Sequence, residues 1–200
     1  EQEKRARING SFYYRPTKEN AKLKAGLSYN LQFQDAGVFV LWKNDSMCYQ
    51  AMDNTLSRQK AVRFNIDPYV KFLDKKGNKH HLRTRYYLVT TGNDTKVYDA
   101  YFAQMYYLDY QFQKKMKDGM NLTFGATNTF NAIKSWVFGD HQSENAAAYS
   151  QFEFKKKKWD FTTGLRLEFC RLDTLPFDSK FQLGDFESPI YPIFRTGIHY

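Results

Sequence analysis

Residues 23–33 alternate strictly. Leu23, Ala25, Leu27, Tyr29, Leu31 and Phe33 fall on one face of an extended chain, with Lys24, Gly26, Ser28, Asn30 and Gln32 on the other. A period of two marks a strand whose faces meet different surroundings. The pattern recurs at 62–72, where Val62, Phe64, Ile66, Val70 and Phe72 oppose Arg63, Asn65, Asp67, Tyr69 and Lys71. It recurs at 159–169, where Trp159, Phe161, Leu165, Leu167 and Phe169 oppose Asp160, Thr162, Arg166 and Glu168. Further strands are predicted at about 5–14, 80–90, 97–113, 120–130, 144–154 and 190–200. No segment sustains the 3.6-residue period of a helix. The expected fold is therefore all-β, an antiparallel up-and-down meander of about nine long strands. Residues 1–200 read as one segment without an internal boundary.

The connections carry a second pattern. RPTKEN (15–20), DKKGNK (74–79), KKMKDG (114–119) and KKKK (155–158) are short and lysine-rich. Longer connections at 34–59, 91–96, 131–143 and 172–189 alternate with them. A meander of this kind puts every short turn at one end.

Strand length decides which face looks where. Ordinary strands run to about five or six residues, whereas a strand crossing an outer membrane needs roughly 9–11 tilted residues. In a transmembrane barrel apolar residues face lipid, polar residues face a watery lumen, and aromatics form girdles at both interfaces. Tyr14, Phe72, Phe112, Phe154 and Trp159 are expected beside the short turns, and Phe33, Phe64, Phe102, Phe130 and Phe169 nearer the long loops. The alternative is a soluble β-barrel or sandwich with these aromatics in its core, but nine long strands in succession would need a second layer to cover them. Gln104, Asn128 and Pro68 interrupt the apolar face and are expected at a strand's outer rim or at a bulge.

Composition sharpens this. Aromatics make up 18% of the chain, yet mean hydropathy is only −0.69, so the apolar residues must be confined to one face. No run approaches the roughly 18 apolar residues of a helical membrane span. The net charge of +9 invites a nucleic-acid or anionic-membrane reading. The lysines, however, gather in turns at one end, where they are expected either to face lipid phosphates or simply to be solvated, and no nucleic-acid partner is expected. The opening stretch EQEKRAR shows no targeting segment. GxSxG, HExxH, Walker-type and GxGxxG motifs are absent, so no enzyme activity, catalytic residue or cofactor is expected. Adjacent His80 and His81 point to opposite faces of a strand, and Cys48 and Cys170 lack zinc-ligand spacing, so no metal site is expected. Both cysteines fall at the long-loop end, where a disulfide is topologically allowed and two free thiols are the equal alternative.

Several strings resemble the barrel portion of TonB-dependent outer-membrane receptors: FNIDPYVKFLDKKGNKHHLRTRYYL (64–88), YQFQKK (110–115), AAAYSQFEFKKKKWDFTTGLRLE (146–168) and PIFRTGIHY (192–200). VFVLWKND (38–45) is similar to a loop segment of that family. The resemblance covers nearly the whole chain. It implies a plugged barrel in the cell outer membrane that takes up a scarce ligand (a metal chelate, cobalamin or a glycan) with energy relayed by TonB. Implied partners are outer-membrane lipid, the remainder of the receptor including its plug, TonB acting through that plug, and a small-molecule or glycan ligand. The strand number is odd and neither plug nor closing strand is present, so these residues are expected to form a middle section of the barrel. Passive porin function is the rival within the fold. Trp42, Tyr49, Trp136 and His141 lie in the long loops, where a ligand would first arrive, and are the ligand-binding candidates.

Overall fold

The computed structural model describes residues 3–16, 22–93, 100–116, 119–135, 139–173 and 190–200. They form nine strands: β1 (Lys4–Tyr14), β2 (Leu23–Val38), β3 (Ser57–Leu73), β4 (Lys79–Asn93), β5 (Tyr101–Lys115), β6 (Met120–Ser135), β7 (His141–Lys156), β8 (Trp159–Leu172) and β9 (Ile190–His199). Every strand pairs antiparallel with its neighbours in sequence, giving one sheet of order β1 to β9. The sheet is open: β1 and β9 each have one partner, so barrel closure is not a property of these residues alone. No helix occurs among the described residues.

Most strands run beyond the predicted ends, because a backbone ladder continues after apolar alternation fades. β2 and β3 stay paired through Asp35↔Lys60 to Val38↔Ser57, and there Arg58 donates to Asp35 (Nε to Oδ1, 3.0 Å). The connection expected at 131–143 is accordingly shorter, since β6 reaches Ser135 and β7 begins at His141. Residues 97–99, expected to open the fifth strand, lie outside the described residues.

The register preserves the two faces across the whole sheet. The row Gly10, Tyr29, Ile66, Tyr86, Tyr106 and Phe130 belongs to the apolar face, and Asn9, Asn30, Asn65 and Tyr87 to the polar one. Pro68 corrects the expectation of a rim or bulge. It sits mid-strand, and although Asp67 and Pro68 have no β4 partner, the flanking pairs Ile66↔Tyr86 and Tyr69↔Arg83 keep one register. Proline has no N–H to donate, so rungs are lost without a residue being inserted. Asn128 is likewise mid-strand, opposite Leu108 and Ala146, and its Nδ2 donates to Glu144 Oε1 at 2.9 Å. Gln104 accepts a 3.4 Å bond from the Tyr106 hydroxyl.

The ladder is sheared. From the closing pair Leu73↔Lys79 it runs through Gln113, Thr123 and Gln151 to Gly164. Gln113 lies two residues short of the Lys115↔Asn121 closure, and Gly164 lies five beyond Trp159 in the Lys156↔Trp159 closure. Four steps across the sheet thus move the ladder five residues along the strands.

Candidate functional site

The apolar face is uncovered. Phe12, Phe33, Phe72, Tyr106, Phe124 and Phe194 are among its exposed large side chains, Phe194 at 75%. Its charged residues stand toward strand ends: Lys4, Asp35, Arg58, Lys60, Lys134, Glu144 and Arg171 toward the long loops, Lys114 and Lys156 toward the short turns. Ring contacts form two rows on it. Beside the short turns, His80 stacks parallel on Phe72 with centroids 4.2 Å apart and packs against Phe112 at 5.0 Å. Further along, Tyr86 lies between Phe64 and Tyr106, at 6.4 and 5.0 Å, and Tyr106 meets Phe130 at 6.4 Å. His80 links the lower row to the turn, bonding the Tyr110 hydroxyl through Nδ1 at 2.8 Å and facing Asp74 Oδ2 through Nε2 at 3.7 Å.

That turn is built by Asp74. Its Oδ1 accepts the N–H groups of Lys76 and Asn78, each at 2.8 Å, and its Oδ2 accepts Asn78 Nδ2 at 2.7 Å. Gly77 adopts φ +81°, a conformation that glycine reaches without steric cost. The Asn78 amide, above all, holds the Asp74 carboxyl below its ordinary value of 3.8.

The polar face is a hydrogen-bonded lattice and the candidate site. Arg7 Nε donates to Asn30 Oδ1 (2.6 Å), Asn30 Nδ2 to Asn65 Oδ1 (3.3 Å), and Asn65 Nδ2 to Asp67 Oδ2 (2.8 Å). Arg85 closes on Asp67 with two bonds, of 2.5 and 3.0 Å. Arg83 makes a fork onto Asp109 Oδ2. On β7 and β8, Glu168 accepts from Asn145 (2.7 Å) and from Arg166 (3.0 Å). Such paired charges make a hydrophilic wall with fixed donors and acceptors, suited to water and polar solutes. The buried residues of the described strands, Ala61, Thr91, Thr123, Ser135, Ala147 and Asp109, all belong to this face. Small side chains are hidden there because larger neighbours crowd over them, as on the concave side of a curved sheet. Asp109, at 2% exposure, is the extreme case, and its Oδ1 has no hydrogen-bond partner among the described residues.

Two glycines admit tyrosines onto this face. A Cβ at Gly26 would come 2.5 Å from the Tyr69 ring, and one at Gly125 would come 2.1 Å from Tyr149. In each case the glycine is the tyrosine's direct cross-strand partner. Aromatic cover over strand glycines offsets the packing that glycine itself cannot supply.

The loop candidates do not converge. Trp42 bridges Ala51 in the β2–β3 loop, closed by Lys43 N–H to Gln50 O and Met52 N–H to Leu41 O, both 2.9 Å. Tyr49, in the same loop, is 85% exposed. His141 opens β7, four strands away, where its Nδ1 faces Asp173 Oδ1 at 3.4 Å. Trp136 lies outside the described residues. Asp173 and the lattice acids Asp67, Asp109 and Glu168 were not singled out by the sequence; only cross-strand pairing reveals their partners. Cys48 and Cys170 are both free and exposed, and Asn145 Nδ2 lies 3.1 Å from the Cys170 sulfur.

Comparison with models of known families, with curated proteins and with solved structures found no match.

Proposed function

We propose that this chain is a section of the wall of an outer-membrane β-barrel, in a receptor of the TonB-dependent kind that takes up a scarce ligand. The observation that carries the proposal is the exposed apolar face with its charges gathered toward strand ends. Water does not favour such a face on a long sheet, whereas a hydrocarbon layer does.

The shear supports the same reading. Five residues of about 3.4 Å against four strand spacings of about 4.8 Å correspond to a tilt of about 40°, within the range for membrane barrels. The aromatics fit that tilt. Phe72, Phe112 and Phe154 lie within about three residues of their hairpin closures; Phe64, Phe130 and Phe169 lie about nine or ten residues along. At about 40° the two groups stand roughly 16–21 Å apart, just inside a lipid-facing band about 25 Å tall. The polar lattice then lines a lumen, and the β2–β3 loop with Trp42 and Tyr49 faces outward as ligand-contact candidate. The family assignment rests on the sequence resemblance.

Membrane fractionation of the full-length protein tests the proposal. It should remain in the membrane through high-salt washing and leave only with detergent. Release by salt alone would mean surface electrostatics and would overturn the barrel.

A further inference from the structure

We infer that the polar face carries an anion-binding site at its lysine-turn end, formed by Lys24, Lys71 and His81 with Arg83 beside them, which takes a ligand bearing carboxylate or phosphate groups. The inference rests on the barrel reading only in making this face the wall of a lumen.

Register brings the three groups together. Lys24 stands directly opposite Lys71, and Lys71 directly opposite His81, so three basic side chains run side by side across β2, β3 and β4. Two strand spacings put the outer members roughly 10 Å apart. Lys24 and Lys71 are like charges set directly opposite, an arrangement that destabilises a sheet; an anion placed between them reverses the sign of that interaction, and His81 adds an imidazole donor beside them.

Three arginines of this face are neutralised by acids, while Arg7 and Arg63 bond the amides of Asn30 and Gln34. Arg85 has Asp67, Arg83 has Asp109, and Arg166 has Glu168. Neither Lys24 nor Lys71 forms an ion pair among the described residues. Their ammonium groups instead lie over tyrosine rings, Lys24 5.4 Å from the Tyr13 centroid and Lys71 5.9 Å from that of Tyr69. Contacts of this kind hold a cation in place while leaving its N–H donors free for a ligand. The groove in front of them has a volume of about 590 Å³, and Asp67, already engaged by Arg85, is its one acidic lining residue. A compact anion with several carboxylates or phosphates matches this arrangement. A neutral sugar leaves the charges unanswered.

Calorimetry on the full-length protein in detergent, with citrate and pyrophosphate as probes, tests the site. Both should bind, and more weakly as ionic strength rises. Lys24→Gln with Lys71→Gln should weaken binding by about tenfold or more, while Lys114→Gln with Lys156→Gln, at the strand ends of the other face, should leave it unchanged. Lys71→Arg, which keeps the charge, should retain binding that Lys71→Gln loses. No binding by the unaltered protein, equal loss in both double variants, or equal loss with Arg and Gln at 71 would overturn the site. The barrel stands or falls separately. A protein that needs detergent yet binds neither probe loses only this site, and one that binds the probes but is monodisperse without detergent keeps the site and loses the barrel.

Discussion

Leu165 and Arg166 are adjacent in β8 and point to opposite faces. Leu165 belongs to the apolar face, between Ser150 on β7 and Phe194 on β9. It lies six residues past Trp159, which at a tilt of about 40° is roughly 16 Å from the short-turn end, well inside a band roughly 25 Å tall. In the proposed barrel, Leu165→Arg puts a guanidinium near mid-membrane, at a cost of about 2–4 kcal/mol. At about 1.4 kcal/mol per factor of ten, the ratio of inserted to unfolded protein falls roughly 30- to 1,000-fold. Arg166→Leu removes one partner of Glu168, an arginine about a third exposed, and Glu168 keeps its 2.7 Å bond from Asn145. A pair of this exposure contributes about 0.2–1 kcal/mol. Urea titration of the full-length protein folding into lipid vesicles, followed by tryptophan fluorescence, measures both. Equal costs, or a larger cost for Arg166→Leu, would refute the assignment of faces.

Gly125→Ala drives a methyl into the Tyr149 ring and should destabilise by about 1–3 kcal/mol. Gly197→Ala, with nothing within 4 Å of its added Cβ, should be near neutral in the same titration. Pro68→Ala restores a donor to the β3–β4 ladder and should raise the unfolding midpoint, by the equivalent of about 0.5–1.5 kcal/mol. For Asp74 the folded carboxyl titrates below its ordinary value, so its stabilisation is fully present above pH 3.8 and is lost as pH falls through the lowered value. The unfolding midpoint of Asp74→Asn should trail that of the unaltered protein above that range and converge with it below. A gap unchanged at low pH would mean that the turn bonds act without the charge.

The faces were legible in the sequence because a strand's period of two needs no partner to be seen, as Leu23 to Phe33 illustrate. The short turns were legible through their lysines and glycines. What was not legible depends on pairing. Arg83 and Asp109 are 26 residues apart, and Lys24 and Lys71 farther still, so their meeting follows from register and not from local pattern. Pro68 reads as a breaker in isolation, yet one missing donor leaves a strand intact when the flanking rungs hold. The loop candidates rested on residue type and position alone. Trp42 and Tyr49 do share a loop, but His141 belongs to another connection.

The inverted faces are the central claim, and collision accessibility along β8 tests them most directly. Single cysteines at positions 163 to 168, placed one at a time in a full-length background lacking Cys48 and Cys170, would carry spin labels in lipid vesicles. Labels at 163, 165 and 167 should relax with oxygen dissolved in the bilayer, and labels at 164, 166 and 168 with a water-soluble nickel chelate, alternating with a period of two. The same period with the phases exchanged, or nickel access at all six positions, would contradict a lipid-facing apolar surface.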